Sequence, residues 1–286
     1  GSSMEKQACR PPRRKTNTNP YRPYIQWFFF LLIALISVNH SLAEAGGGIA
    51  GLSSASLHAL CPFGGVVTLY QFFTSGTLVQ KVHESSLVLM VSGIVFALIA
   101  GPVFCGWVCP LGTIQEWVSK IGKKLFKKRF NHFIPSKVDR WLRFTRYAIL
   151  IWVVYMTATS LKLVFSDFDP YFALFNFWTG EVAIGGLAAL GLTLGLSLLM
   201  ERPWCKYACP YGAFQGIFNR LRVARLQRNA ETCINCKACD RACPMGIVVS
   251  QQTVVRDHQC IACMECTSEA ACPVPATLEF KIGGQA

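Results

Sequence analysis

Charge and histidine are what this sequence has least of. Asp, Glu, Lys and Arg together make up 15% of its 286 residues, well under the quarter or so of a soluble domain. Hydrophobic residues make up 52%. That balance excludes an ordinary soluble protein. Acidic residues are the scarcer, 15 against 28 Lys and Arg, for a net charge of +13. The cations are interrupted by long apolar runs, so the polyanion they fit is an anionic lipid leaflet and not nucleic acid. Histidine occurs only at His40, His58, His83, His132 and His258. Only His40 falls within an apolar run, which disfavours a haem held between facing histidines across a bilayer.

Cysteine is abundant instead, with 14 residues. Eight lie in two runs, CINCKACDRACP from Cys233 and CIACMECTSEAACP from Cys260. Soft thiolates at every third position, a fourth further on and a proline behind it form the pattern that wraps an iron–sulfur cube. In two-cluster ferredoxins the last cysteine of each run crosses to the other cluster. That rule assigns one [4Fe–4S] cluster to Cys233, Cys236, Cys239 and Cys272. The other goes to Cys260, Cys263, Cys266 and Cys243. The longer second run should bulge around Ser268 and Glu269. Paired zinc sites built from CxxC units are the competing reading, and two full quartets ending in Cys-Pro argue against it. Eight cysteines used as ligands place this segment in a reducing compartment.

Four runs approach the 20 residues that a bilayer crossing needs: Tyr24–Ala43, Ser86–Phe104, Arg146–Phe165 and Val182–Met200. The first also has features of a signal peptide. Cations crowd ahead of the first span (Arg13, Arg14, Lys15), between the second and third (Lys120 to Arg143), and after the fourth (Arg202, Lys206, Arg220). The positive-inside bias then puts both termini in the cytoplasm. The expected architecture is an all-α four-helix membrane bundle with a small α+β two-cluster ferredoxin-like domain. Its parts are a basic tail over 1–23, the membrane domain over 24–228 and the ferredoxin domain over 229–286.

The chain repeats at an offset of 100 residues. CGWVCPLGTIQ from Cys105 aligns with CKYACPYGAFQ from Cys205, so each half is expected to end in CxxxCP at the inner membrane edge. Proline after the second cysteine favours a new helix with Cys109 or Cys209 as its N-cap, where a thiol's pKa is lowered. The helix after Pro110 carries a stripe of Leu111, Ile114, Val118, Ile121 and Leu125, suited to an anionic leaflet. Three readings compete for Cys105, Cys109, Cys205 and Cys209: a third iron–sulfur cluster, two redox dithiols, or buried structural thiols. Cys61, His58 and Asp169 lie toward the outer side as candidates for a further centre or for proton acceptance, against a reading as solvated loop residues.

With CGWVCP, CKYACP and the double-cluster segment in hand, the chain resembles the polyferredoxin-type membrane proteins related to NapH and NosR. The resemblance implies two [4Fe–4S] clusters at the eight cysteines. It also implies an oxidoreductase component that moves electrons between the quinone pool and a soluble or membrane redox partner. The expected place is a prokaryotic inner membrane, crossed several times, with the ferredoxin domain in the cytoplasm. Two other functions stay open: a conduit from a cytoplasmic donor to an outer acceptor, and a cluster-dependent assembly or maturation reductase.

Overall fold

The computed structural model describes residues 20–44, 84–127, 129–131, 133–160, 168–177 and 182–282. Cys61, His58 and the 1–19 tail lie outside them. The first helix, α1, runs Tyr21–Glu44. Its Tyr21–Asn39 stretch is the one helix among the described residues long and apolar enough to cross a membrane. Shorter helices fall on the other three apolar runs: α2 (Glu84–Ile99), α5 (Thr145–Ser160) and α7 (Ile184–Ser197), of 16, 16 and 14 residues. Helix α2 was expected to continue to Phe104 and stops short. Gly101 takes a φ of +90°, which glycine alone adopts easily, and Pro102 cannot continue the ladder. A single π-type turn, Phe104–Val108, follows.

Helix α3 (Pro110–Phe126) starts on Cys109 as N-cap, with Pro110 in its first turn. After α4 (Ser136–Leu142), the short α6 (Pro170–Asn176) and α8 (Pro203–Tyr207), the pattern recurs: α9 (Pro210–Asn219) starts on Cys209. The halves are interleaved. Helix α3 packs on α1 of its own half and on α7 of the other, while α9 packs on α5 of its own half and on α2 of the other. The face of α3 turned inward is small and polar: Gly112, Gln115, Ser119 and Gly122, with Leu111. Ser119 Oγ donates to the Gln115 carbonyl of its own helix and also meets the Ser197 and Met200 carbonyls at 3.1 and 3.3 Å. Of the apolar stripe, Leu111 is buried while Ile121 and Leu125 are exposed.

A three-stranded antiparallel sheet closes the chain: β1 (Ala224–Arg228) lies between β2 (Val254–Val255) and β3 (Leu278–Ile282). It begins ahead of the 229 boundary read from sequence. Leu226 pairs with both Val255 and Phe280. Beneath it, Met245, Ile247, Val249 and Leu278 form a core that also contains Cys260, Cys263 and Cys266. Between β1 and β2 lies α10 (Ala238–Ala242).

Candidate iron–sulfur centres

Two small pockets lie within the ferredoxin unit. Cys233, Cys236, Cys239 and Cys272 line the first. Cys243, Cys260, Cys263 and Cys266 line the second. Both runs bend the same way: Asn235 and Lys237 in one, and Ala262 and Met264 in the other, sit at φ of +48 to +57°. Four non-glycine residues in that sparsely occupied region, at matching places, curve each backbone around its cavity. The bulge expected in the second run is a turn in which Ser268 O accepts from Ala271 N and Cys272 N. Among the described residues, no three His, Cys, Asp or Glu side chains converge as the ligands of one metal ion would. Each quartet rings a volume, which is the arrangement a cube with one cysteine per iron requires.

The CxxxCP cysteines come together from both halves. Burial, then Cys109 and Cys205, raise the pKa of Cys105, while Cys209 is raised by burial and by Cys205, Cys105 and Cys109. Cys109 is pushed up to about 11 by burial and by Cys205, against hydrogen bonds from the Gly112 and Leu111 amides. The lowering expected at a helix N-terminus is thus outweighed by desolvation, although Gly212 N does donate to Cys209 Sγ at 3.3 Å. Without metal these four thiols keep their protons, so a metal centre here must displace them. The site touches the ferredoxin unit directly. Cys105 and Cys205 pack on the core that holds Cys260, Cys263 and Cys266, and Trp107 Nε1 donates to Ala262 O at 3.0 Å.

Comparison with known proteins follows the same division. A 4Fe–4S binding domain family matches twice, over residues 82–129 and 182–229, once on each CxxxCP repeat. A 4Fe–4S dicluster domain family matches residues 225–273. YccM of Escherichia coli is 29% identical over 92% of this chain and 72% of its own length. The uncharacterized protein MJ0750 of Methanocaldococcus jannaschii is 34% identical over 73% of this chain and 82% of its own. The ferredoxin-type protein NapH of Haemophilus influenzae is 26% identical over 69% and 70%. The chain belongs to the NapH/NosR-like polyferredoxin family. No solved structure matches it. Electron transfer with 4Fe–4S binding domains is the general chemistry of this polyferredoxin.

Around the CxxxCP site of the polyferredoxin lies a shell of buried charge that sequence reasoning missed. Arg202, fully buried at a φ of +50°, donates from Nη1 to Cys105 O at 2.6 Å and pairs through Nε with Glu116 at 2.9 Å. Arg22, at the start of α1, meets Glu116 at 2.5 Å and Glu265 at 2.6 Å. Burial would raise the carboxyl of Glu116, but Arg202 and Arg22 hold it at about 2. Arg146 donates to His258 O at 3.0 Å, and Arg222 reaches Val255 O at 2.9 Å. In the sequence Arg22 is one more of the cations ahead of the first span. Gln115 recurs as Gln215 in the repeat, and that recurrence was the available clue: Gln115 Nε2 reaches Cys205 Sγ at 3.6 Å and its Oε1 accepts from Trp204 N at 3.2 Å. Asp169 is the N-cap of α6, accepting from Tyr171 N at 3.0 Å and set far from these thiols along the sequence.

Proposed function

We propose that this polyferredoxin is a multi-pass electron-transfer component of a prokaryotic inner membrane. It exchanges electrons between the quinone pool and a redox partner through two [4Fe–4S] clusters in the ferredoxin unit and a third at the CxxxCP cysteines. One observation carries the reading. Thiols from both halves of a duplicated helical body meet at one site, and that site lies against the loop of the second cysteine run. Bound [4Fe–4S] clusters supply one-electron relay there. The protein's own share is to hold two quartets in the sheet unit, gather four thiols at the helix ends, bury them from water and press the two regions together.

The ligand sets follow the cavities: Cys233, Cys236, Cys239 and Cys272 for one cluster, and Cys243, Cys260, Cys263 and Cys266 for the other. Four spans facing lipid are supported by the outward apolar side chains of all four long helices, such as Leu35, Phe96, Ile151 and Leu192. The cation bias supports a cytoplasmic ferredoxin unit, and the exposed Ile121 and Leu125 suit an anionic leaflet.

Anaerobic purification with an iron count and EPR tests the proposal. About 12 irons per chain are expected, from three four-iron clusters. Cys105→Ser and Cys209→Ser should each remove the same EPR signal and about 4 irons. A wild-type count near 8, with both variants unchanged, would refute a third cluster.

A further inference from the structure

The two halves use the same glutamine differently. Gln115 is satisfied at both ends: Oε1 accepts from Trp204 N at 3.2 Å, and Nε2 reaches Leu111 O at 3.2 Å and Cys205 Sγ at 3.6 Å. Its counterpart Gln215 is only 2% exposed and turns toward α2 instead. The Gln215 Nε2 donates to Tyr211 Oη at 2.6 Å and reaches the Gly93 carbonyl at 3.5 Å. Among the described residues its Oε1 is buried without a hydrogen-bond partner. Phe104 stands in the place of Trp204, and its ring meets that of Tyr211 edge-on, with centroids 5.6 Å apart.

Two more differences between the halves make room beside this amide. Tyr211 stands where the other half has Leu111, and Gly93 where it has Thr193. A Cβ on Gly93 would meet Tyr211 Oη at 3.1 Å and Gln215 Nε2 at 3.4 Å. Its absence leaves a notch in α2, walled by one hydroxyl and one amide. Gly93 is half-buried, and Val91 and Val95 to either side of it are exposed on an apolar run. On its inner side the notch borders the CxxxCP site, because Tyr211 lies within electrostatic reach of Cys105, Cys109 and Cys209. A buried acceptor with no donor is unfavourable in such surroundings, and a polar ligand offering a hydroxyl relieves it.

We infer that this notch between α2 and α9 binds the headgroup of a lipid-soluble quinone. The Tyr211 oxygen accepts from Gln215, which leaves its own hydrogen to donate to a quinone carbonyl. Gln215 Oε1 accepts from a hydroxyl of the reduced, quinol form. One donor and one acceptor at the same place hold either redox form. The exposed Val95 and Phe96 offer apolar surface to the isoprenoid tail. The inference rests on the exchange with the quinone pool proposed above, and adds where the quinone is held: in one half only, at Gly93, Tyr211 and Gln215.

The test is native mass spectrometry of the full-length, anaerobically purified protein, titrated separately with decylubiquinone and menaquinone-4, alongside an iron count and Tm. One bound quinone per chain is expected in the wild type. Tyr211→Phe should weaken it about tenfold, the loss of one hydrogen bond to the headgroup. Gly93→Ala, whose methyl fills the notch, should weaken it about tenfold or more. Thr193→Ala, at the matching place in the other half, should stay within about twofold of the wild type. Tyr211→Phe keeps the ring and so keeps the question answerable if Gly93→Ala fails to fold. Weaker binding in Tyr211→Phe and Gly93→Ala, with iron and Tm unchanged, establishes the site. Equal binding in all variants, or a phospholipid that neither quinone displaces from the wild type, overturns it while leaving exchange with the quinone pool standing. A wild type that binds neither quinone, phospholipid-free and with its iron complete, removes that exchange itself.

Discussion

Gly106 stands directly on the carbonyl of Ile261. A Cβ at this glycine would lie 2.4 Å from Ile261 O and 3.4 Å from the Cα of Cys263. Both are backbone atoms of the second cysteine run, so neither can swing away. Gly106→Ala should therefore part the CxxxCP loop from the ferredoxin unit. The expected cost is about 1–3 kcal/mol, read as a fall in Tm of about 3–8 °C. Stopped-flow reduction should show slower filling of the CxxxCP centre with the ferredoxin centres reduced at normal rates. Unchanged melting would mean that the two units are not pressed together here.

The crossing of the two runs makes its own prediction. Cys272 belongs to the second run by sequence but lines the cavity of the first, and Cys243 does the reverse. Cys272→Ala should abolish the EPR signal that Cys233→Ala abolishes, and Cys243→Ala the one lost in Cys260→Ala. Each should remove about 4 irons per chain. If each run kept its own four cysteines, the pairings would come out exchanged.

What sequence could and could not reveal divides along the range of the interactions. The two quartets were legible because ligand spacing is local and the crossing rule is general. The interleaved helices had their clue in the offset of 100 residues, and the short α3 and α9 in Pro110 and Pro210. The shell of buried charge left no trace of that kind. Its members are separated by 243, 94 and 86 positions, so no periodicity links them, and each alone looks like an ordinary surface charge. The inner face of α3 stayed hidden for a related reason. Ser119 and Gly122 are turned inward by carbonyls of the other half, a partner that the pattern of one helix cannot announce.

Arg22 holds two carboxylates with one guanidinium. Removing it strands Glu265 and leaves Glu116 to Arg202 and Gln26, and breaking a buried pair from one side costs about 3–5 kcal/mol. Arg22→Gln should therefore lower thermal stability well beyond the effect of Arg225→Gln, whose Nε bonds only the carbonyl of Arg222. Arg22→Lys should recover part of the loss, since one ammonium can reach one carboxylate but cannot fork between two. Melting curves of the three variants in one detergent check the order.

Asp169 supplies the pH dependence. Burial raises its carboxyl from the ordinary 3.8 to about 6, against hydrogen bonds from the amides of Tyr171 and Phe172. With the folded value above the unfolded one, the native state binds the proton more tightly. Its relative stability therefore grows as pH falls through 6 toward 3.8, and the cost of the buried charge is fully present above 6. Asn caps a helix about as well as Asp and carries no charge. Asp169→Asn should stabilise the protein by up to about 3 kcal/mol at pH 7.5, and the advantage should shrink at pH 5. Melting temperatures at the two pH values measure this directly, and an equal gap at both would show that the carboxylate carries no such cost. If Asp169 also takes the proton from a quinol, the same variant should oxidise quinol more slowly at pH 7.5 despite its higher Tm, because an amide cannot accept that proton.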